Sequence, residues 1–246
     1  ELINFMCKEY KKFFEQSVHN NRNFSYNEKV AKSYFALGLY SVMVPAEYGG
    51  VGAHIIEFSD FLEYIANTDP LLAISLVDHM ATIKYLDTIL NSEIKKNIFS
   101  NVDGLSKYFL SPPVFSSSGE NKIEVCCLEN NQYKLSNLGS VFIDIGLNPR
   151  FLVFLLPIKK ENSELLVSID TVKHKPRITR ESLHENFDFC SMHYASIRIN
   201  NEDIVKKQSI INQDMLIIHK QAGISVIALS LLKKALKNTR QYAMNR

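Results

Sequence analysis

The sequence predicts an α+β multidomain fold: an N-terminal helical domain, a middle antiparallel β-sandwich or barrel domain, and the start of a C-terminal helical bundle. Three observations predict it. Apolar residues recur at helical spacing up to about Phe99. From about Ser106 to Asn201, short alternating segments separated by turn signals replace them. Helical periodicity then returns from about Ser209 to Arg246. The expected domains are residues 1–105, 106–205 and 206–246.

Leu2, Phe5, Met6, Tyr10, Phe13 and Phe14 form the first helical stripe, over Leu2 to Ser17. Ser25, with Glu28 three residues on, reads as a capping box that opens a helix running to about Leu37. Glu57 to Ala66 and Leu71 to Leu90 are two more, separated by Asp69-Pro70, where Asp caps and Pro suits a first turn. Asn91 to Phe99 is the next, so the whole N-terminal part is expected to be helical. Pro112-Pro113 and Ser116 to Gly119 are loop punctuation. The expected strands are Ile123 to Leu128, Gln132 to Leu135, Ser140 to Ile145, Phe151 to Leu156, Leu165 to Ile169 and Ala195 to Ile199. In the last segment Ala222, Gly223, Ala228, Leu229, Leu232, Ala235 and Leu236 make the stripe expected to be buried.

Composition narrows the function classes. The chain has 246 residues, enough to bury a sizeable core. Net charge is +2 with both signs interspersed, so no field argues for nucleic acid or an anionic membrane. The basic run Lys173 to Arg177 is local and reads as a solvated loop face. No segment is an uninterrupted apolar run of the ~18 residues that a membrane span requires, so no span is expected. The four cysteines, Cys7, Cys126, Cys127 and Cys190, have no zinc spacing. Cys126 and Cys127 are adjacent in an alternating run and would point to opposite faces of a strand. Free thiols in a reducing compartment, the cytoplasm or the mitochondrial matrix, are therefore expected. The chain begins at Glu1 without a signal-peptide pattern, as expected of a fragment or processed product.

The most informative segment runs from Leu37 to Gly52, LGLYSVMVPAEYGGVG. Gly49, Gly50 and Gly52 mark a sharp bend between packed elements; as physics alone this is a buried helix-to-helix corner. As a pattern, Leu-Gly-x-x-x-x-x-x-Pro-x-x-Tyr-Gly-Gly-x-Gly resembles the first signature of the acyl-CoA dehydrogenase family, flavoproteins that desaturate acyl thioesters. Glu57 to Asp69 (EFSDFLEYIANTD), Leu71 to His79 (LLAISLVDH) and Asn91 to Phe99 (NSEIKKNIF) resemble the helices that follow it in that family. Arg240 to Arg246 (RQYAMNR) resembles the first half of its Tyr-Ala-x-x-Arg-x-Gln-Phe-Gly signature. The resemblance implies FAD as cofactor and an acyl thioester, of CoA or a carrier protein, as substrate. It also implies a homo-oligomer or a partner subunit.

It implies site residues as well. Phe109-Leu110-Ser111-Pro112-Pro113-Val114-Phe115-Ser116-Ser117 takes the place of the family's flavin-edge motif. Ser111 would supply the hydroxyl to the isoalloxazine edge, and Ser117 the contact on the pantetheine or phosphate side. Pro112 replaces the family's Glu, and Ser116 its Gly. Phe142-Ile143-Asp144-Ile145-Gly146 takes the place of the segment whose aromatic packs on the flavin. Phe142 fits; Asp144, where Thr or Ser is usual, puts a carboxylate beside a ring that gains negative charge on reduction. Read alone, this is a strand ending at Gly146 with Asp144 in solvent. Arg246 corresponds to an arginine that reaches the FAD pyrophosphate of a neighbouring subunit, and Gln221 stands where an Arg often holds the CoA end. The family's catalytic carboxylate lies beyond the last residue here, so no catalytic base is assigned. No metal is expected. His79 reads as a core or cap residue, and His174, His184 and His193 as residues of loop-rich stretches. The alternatives are a non-catalytic module that keeps the fold for binding or dimerisation, and a dehydrogenase of carrier-protein thioesters.

Overall fold

The chain is described by a computed structural model that covers residues 38–68, 70–99, 114–115, 124–127, 133–136, 140–143, 151–158, 163–170, 177–184, 187–193, 196–199, 204–208, 212 and 214–245. The helices expected over Leu2 to Ser17 and from Ser25 to Leu37 lie outside the described residues.

The glycine-rich segment is a folded-back connector. Single 3-10 turns at Leu39–Ser41 and Ala46–Tyr48 make up the sharp bend read from its glycines. Gly38, Gly49 and Gly52 have φ of 75°, 84° and 66°, a left-handed conformation that side chains disfavour and that no helix continues through. Gly52 N–H donates to the Val44 carbonyl at 2.8 Å and Ala53 N–H to that of Val42 at 3.0 Å, pinning the loop onto the apolar run before it. Gly50 is required for space: a Cβ there would lie 2.1 Å from the Val44 carbonyl oxygen.

Helix α1 (Ile55–Thr68) begins where the Glu57 carboxylate accepts the His54 backbone N–H at 3.0 Å, one half of a capping box. It buries Phe58, Phe61, Leu62 and Ile65 and turns Asp60 to solvent. Helix α2 (Pro70–Ile89) starts on a proline, whose missing N–H costs nothing in a first turn. Every residue from Ser75 to Ile83 is buried, so the middle of α2 is a core segment without a solvent face. Asn91 caps α3 (Ser92–Phe99), its side-chain oxygen accepting the Ile94 N–H at 2.9 Å. Lys95 holds α3 to α2 through Asp87 at 2.8 Å.

Among the described residues ten strands follow: β1 (Val114–Phe115), β2 (Glu124–Cys127), β3 (Tyr133–Ser136), β4 (Ser140–Ile143), β5 (Phe151–Ile158), β6 (Ser163–Asp170), β7 (Arg177–His184), β8 (Phe187–His193), β9 (Ser196–Ile199) and β10 (Ile204–Gln208). They form three sheets, ordered β1-β5-β6-β10, β2-β3-β9 and β4-β8-β7. All pairs are antiparallel except the two-residue β1–β5 pair, which is parallel. Strand alternation divides the first sheet. Val153, Leu155, Leu166 and Val205 pack with Ala81, Ile83, Tyr85 and Leu86 of α2. On the other face Leu156, Ile158, Leu165, Val167 and Ile169 share a cluster with Tyr133 of β3.

β1, β7, β8 and β10 correct the sequence reading, which had no strand there. Arg177–His184 and Phe187–His193 lack a β-branched run, and pairing with each other and with β4 makes them strands. His184 and His193 therefore end strands instead of lying in loops.

Helix α4 (Asp214–Met244) runs across α1 and α2. It comes so close at Gly223 that a Cβ would lie 2.6 Å from a Val77 methyl. Ser230 and Lys234 donate to the Glu63 and Asn67 carbonyls at 3.0 and 2.6 Å, satisfying the C-terminal end of α1. Only Leu216, Gly223, Ile227 and Ser230 of α4 are buried. The stripe expected to be buried is corrected accordingly: Leu229, Leu232 and Leu236 are exposed, and Gly223 is the member that packs. Length and composition alone would let α4 cross a membrane, as they would the core helix of a soluble protein.

Gly50→Ala is expected to lower stability by about 2 kcal/mol, since it meets the Val44 carbonyl and Cβ, neither of which can rotate away. Thermal unfolding checks this; an unchanged midpoint contradicts the close approach.

Candidate functional site

Buried, partnered polar groups lie where the connector, α2 and α4 meet. His79 is fully buried on α2, and its Nε2–H donates to the Tyr40 carbonyl at 2.8 Å. The two rings meet edge to face, 4.9 Å between centroids. Burial lowers the His79 pKa to about 4, and the bond to the carbonyl opposes that shift. The ring is therefore a neutral bolt between α2 and the connector, which bears out the core reading of this histidine.

Asp78, one residue earlier, is buried and ion-paired with Lys220 of α4 at 2.7 Å. Removing either partner would leave the other uncompensated at the helix crossing. Thr82 donates to the Asp78 carbonyl at 2.8 Å. Farther along α2, the buried Tyr85 hydroxyl has its pKa raised to about 12 by burial and secondarily by Glu164, so it stays protonated. Lys206 of β10 donates to the Ile89 carbonyl at 2.6 Å, capping α2 from the sheet. Lys207 beside it donates to the Tyr133 hydroxyl at 3.0 Å. These lysines and the Asp78–Lys220 pair escaped sequence reasoning, because each joins residues distant in the chain.

Of the residues assigned to cofactor and substrate, Phe109, Ser111, Ser117, Asp144 and Arg246 lie outside the described residues. Phe142 is the third residue of β4, the edge strand of its sheet, where its backbone pairs with Ser191. Gln221 is exposed on α4, and its carbonyl accepts the Ser225 hydroxyl at 2.8 Å. Phe142 and Gln221 thus have a place in the fold, while the pocket expected around them falls on residues that are not described. Among the described residues no group of three or more His, Cys, Asp and Glu side chains is arranged to hold a metal.

Residues 1–102 match the family model described as acyl-CoA dehydrogenase, N-terminal domain. Among solved structures, butyryl-CoA dehydrogenase from Megasphaera elsdenii superposes with a TM-score of 0.77 at 14% identity, over 100% of this chain and 70% of that one. FMN-bound TdsC, a dibenzothiophene monooxygenase from Paenibacillus sp. A11-2, gives 0.77 at 14% identity, over 98% of this chain and 65% of that one. A chain in the structure of the electron transferring flavoprotein of Acidaminococcus fermentans gives 0.78 at 15% identity, over 100% and 68%. At such identities the likeness is one of fold. The chain spans about two thirds of the length of these structures. No curated protein sequence matches.

The His79 geometry generates a pH dependence. The folded pKa, about 4, lies below the unfolded value of 6.5, so the unfolded chain binds the proton first as pH falls. The His79 contribution is complete above about pH 6.5 and is lost progressively down to about pH 4, at up to ~1.4 kcal/mol per pH unit. Denaturant unfolding from pH 7 to 4 is expected to show this slope, and His79→Gln to flatten it. An equal slope in the variant contradicts the assignment.

Proposed function

We propose that this chain serves a flavin-dependent oxidoreductase, as a divergent relative of the acyl-CoA dehydrogenases, whose fold it shares and whose N-terminal domain residues 1–102 match. The reaction we propose is α,β-dehydrogenation of an acyl thioester, with FAD as the flavin, in a reducing compartment. The observation that carries this reading is the family match together with the connector it includes, where Gly50 closes on Val44.

A bound flavin would supply the hydride acceptor. The proposed donor set fits it in part. The Ser111 hydroxyl suits the polar edge of the isoalloxazine, and the Phe142 ring suits its face. Asp144 is the mismatch, since a carboxylate opposes negative charge on the reduced ring in a dry pocket. Arg246 is a bidentate donor suited to a pyrophosphate. Ser117 and Gln221 are proposed on the substrate side, with Gln221 lacking the charge that an Arg would bring to a CoA phosphate.

FAD titration followed by flavin fluorescence tests the site. Saturable binding is expected, with Ser111→Ala and Phe142→Ala each weakening it about tenfold and Asp144→Thr tightening it. A hundredfold excess over the dissociation constant stabilises the fold by ~2.7 kcal/mol. No binding of FAD or FMN by the wild type would reject the flavin reading and favour the non-catalytic module.

The outer side of α4 supports a homo-oligomer or a partner subunit. Ile217, Ile218, Ile224, Leu229, Leu232 and Leu236 are exposed there, more contiguous apolar surface than scattered residues explain. Sedimentation is expected to show concentration-dependent association that Leu232→Lys weakens. A monomer at every concentration contradicts self-association.

A further inference from the structure

The exposed side of α4 has an order that its buried side does not explain. From Ile218 to Ala243, on the side opposite Gly223 and Ile227, apolar and small residues recur in steps of four and three. That spacing keeps one straight stripe on a helix and is the pattern by which two helices pack along their length. Every residue of the row is exposed and none is charged. The row runs for about 38 Å along the helix axis.

The row is complementary to itself. Laid antiparallel against a copy, with a two-fold axis between Leu229 and Leu232, it sets Leu229 opposite the partner's Leu232. Moving outward, Ser225 meets the partner's Leu236, Ala222 the partner's Thr239, and Ile218 the partner's Ala243. Each outer layer thus joins a smaller residue to a larger one. Parallel pairing would put Ser225 on Ser225 and Ala222 on Ala222, leaving gaps that close packing does not tolerate.

The charges fit the same arrangement. Lys233 and Arg240 lie along the edge of the row that borders α1, where Lys233 is ion-paired with Glu63 at 2.9 Å. His219, three heptads before Arg240 on that edge, lies beside Phe58 and Ser59 of α1. In the antiparallel pair these edges meet, so Arg240 comes to the partner's His219 and to the start of the partner's α1. That start is acidic, with Glu57 and Asp60 both exposed. Lys233 comes to the partner's Val226, so no like charges oppose each other. Antiparallel helix dipoles add to the attraction.

We propose that the outer face of α4 binds a second copy of this chain, as an antiparallel α4–α4 pair centred between Leu229 and Leu232, with Arg240 of each copy beside the acidic start of the other's α1. The proposal rests on the reading of that face as a subunit interface and adds the partner and its register. A two-fold contact of this kind uses the same patch on both copies and closes at the dimer.

Chains carrying Ser225→Cys and chains carrying Leu236→Cys, both exposed positions, test the register when oxidised separately and mixed. Disulfides are mapped by mass spectrometry beside the wild type, the same samples are sedimented, and circular dichroism confirms that the variants are folded. The expected result is a dimer that grows no further, with a disulfide between the two introduced cysteines in the mixture and no disulfide of either with its own kind. In this register the two copies of position 225 lie about 16 Å apart along the axis, beyond disulfide reach. Arg240→Glu is expected to weaken dimerisation about tenfold. Disulfides within either variant alone, which mark parallel pairing, would overturn the proposal, as would growth beyond the dimer or unchanged dimerisation of Arg240→Glu. Association without the mixed disulfide would overturn it and leave self-association through another face standing. A monomer at every concentration would overturn both, and bound flavin, measured on the same samples, decides the flavin reading separately.

Discussion

The middle of helix α2 has no solvent face, and the rest of the structure is arranged to cover it. From Ser75 to Ile83 every residue is buried, so the helix requires neighbours on all sides. The connector lies over His79, α1 covers the flank at Leu76 and Met80, α4 crosses at Val77, and β5 and β6 pack on Ala81 and Tyr85. Most polar groups on such a helix are satisfied within the protein, the Ser75 and Tyr85 hydroxyls being the ones without a partner among the described residues. His79 uses the Tyr40 carbonyl, Asp78 uses Lys220, and Thr82 uses a carbonyl of its own helix. Each of the first two also fixes where the neighbouring element sits.

That arrangement explains which parts of the fold were legible in the sequence. Helices α1, α2 and α3 announced themselves through periodicity and caps, and Pro70 and Asn91 stand at their starts as read. The strands with continuous apolar character, β5 and β6, were equally plain. β7 and β8 were not, because residues such as Arg180, Glu181 and Asp188 become strand residues only through their partners. The buried stripe of α4 was misread for a related reason. Its sequence is apolar on several sides, and the contact face was decided by Gly223, which fits against Val77, and by Ser230, which reaches Glu63.

The candidate site was legible to a different degree. The glycines of the connector were recognised by pattern, and the structure supplies their physical reasons: left-handed backbone at Gly49 and Gly52, close approach at Gly50. The flavin-side residues were reached by resemblance alone, since a Pro/Ser loop such as Phe109 to Ser117 has no periodicity that points to a ligand. The Asp78–Lys220 pair was invisible for the opposite reason: its members lie far apart in sequence, and only the crossing of α2 and α4 brings them together.

The central claim is that this fold serves flavin chemistry. Its most direct test is the absorption spectrum of the protein as purified from cells, followed by denaturation and identification of any released chromophore. The account predicts a yellow protein that releases a stoichiometric flavin. A colourless protein that releases none, even when produced with excess riboflavin, would contradict it.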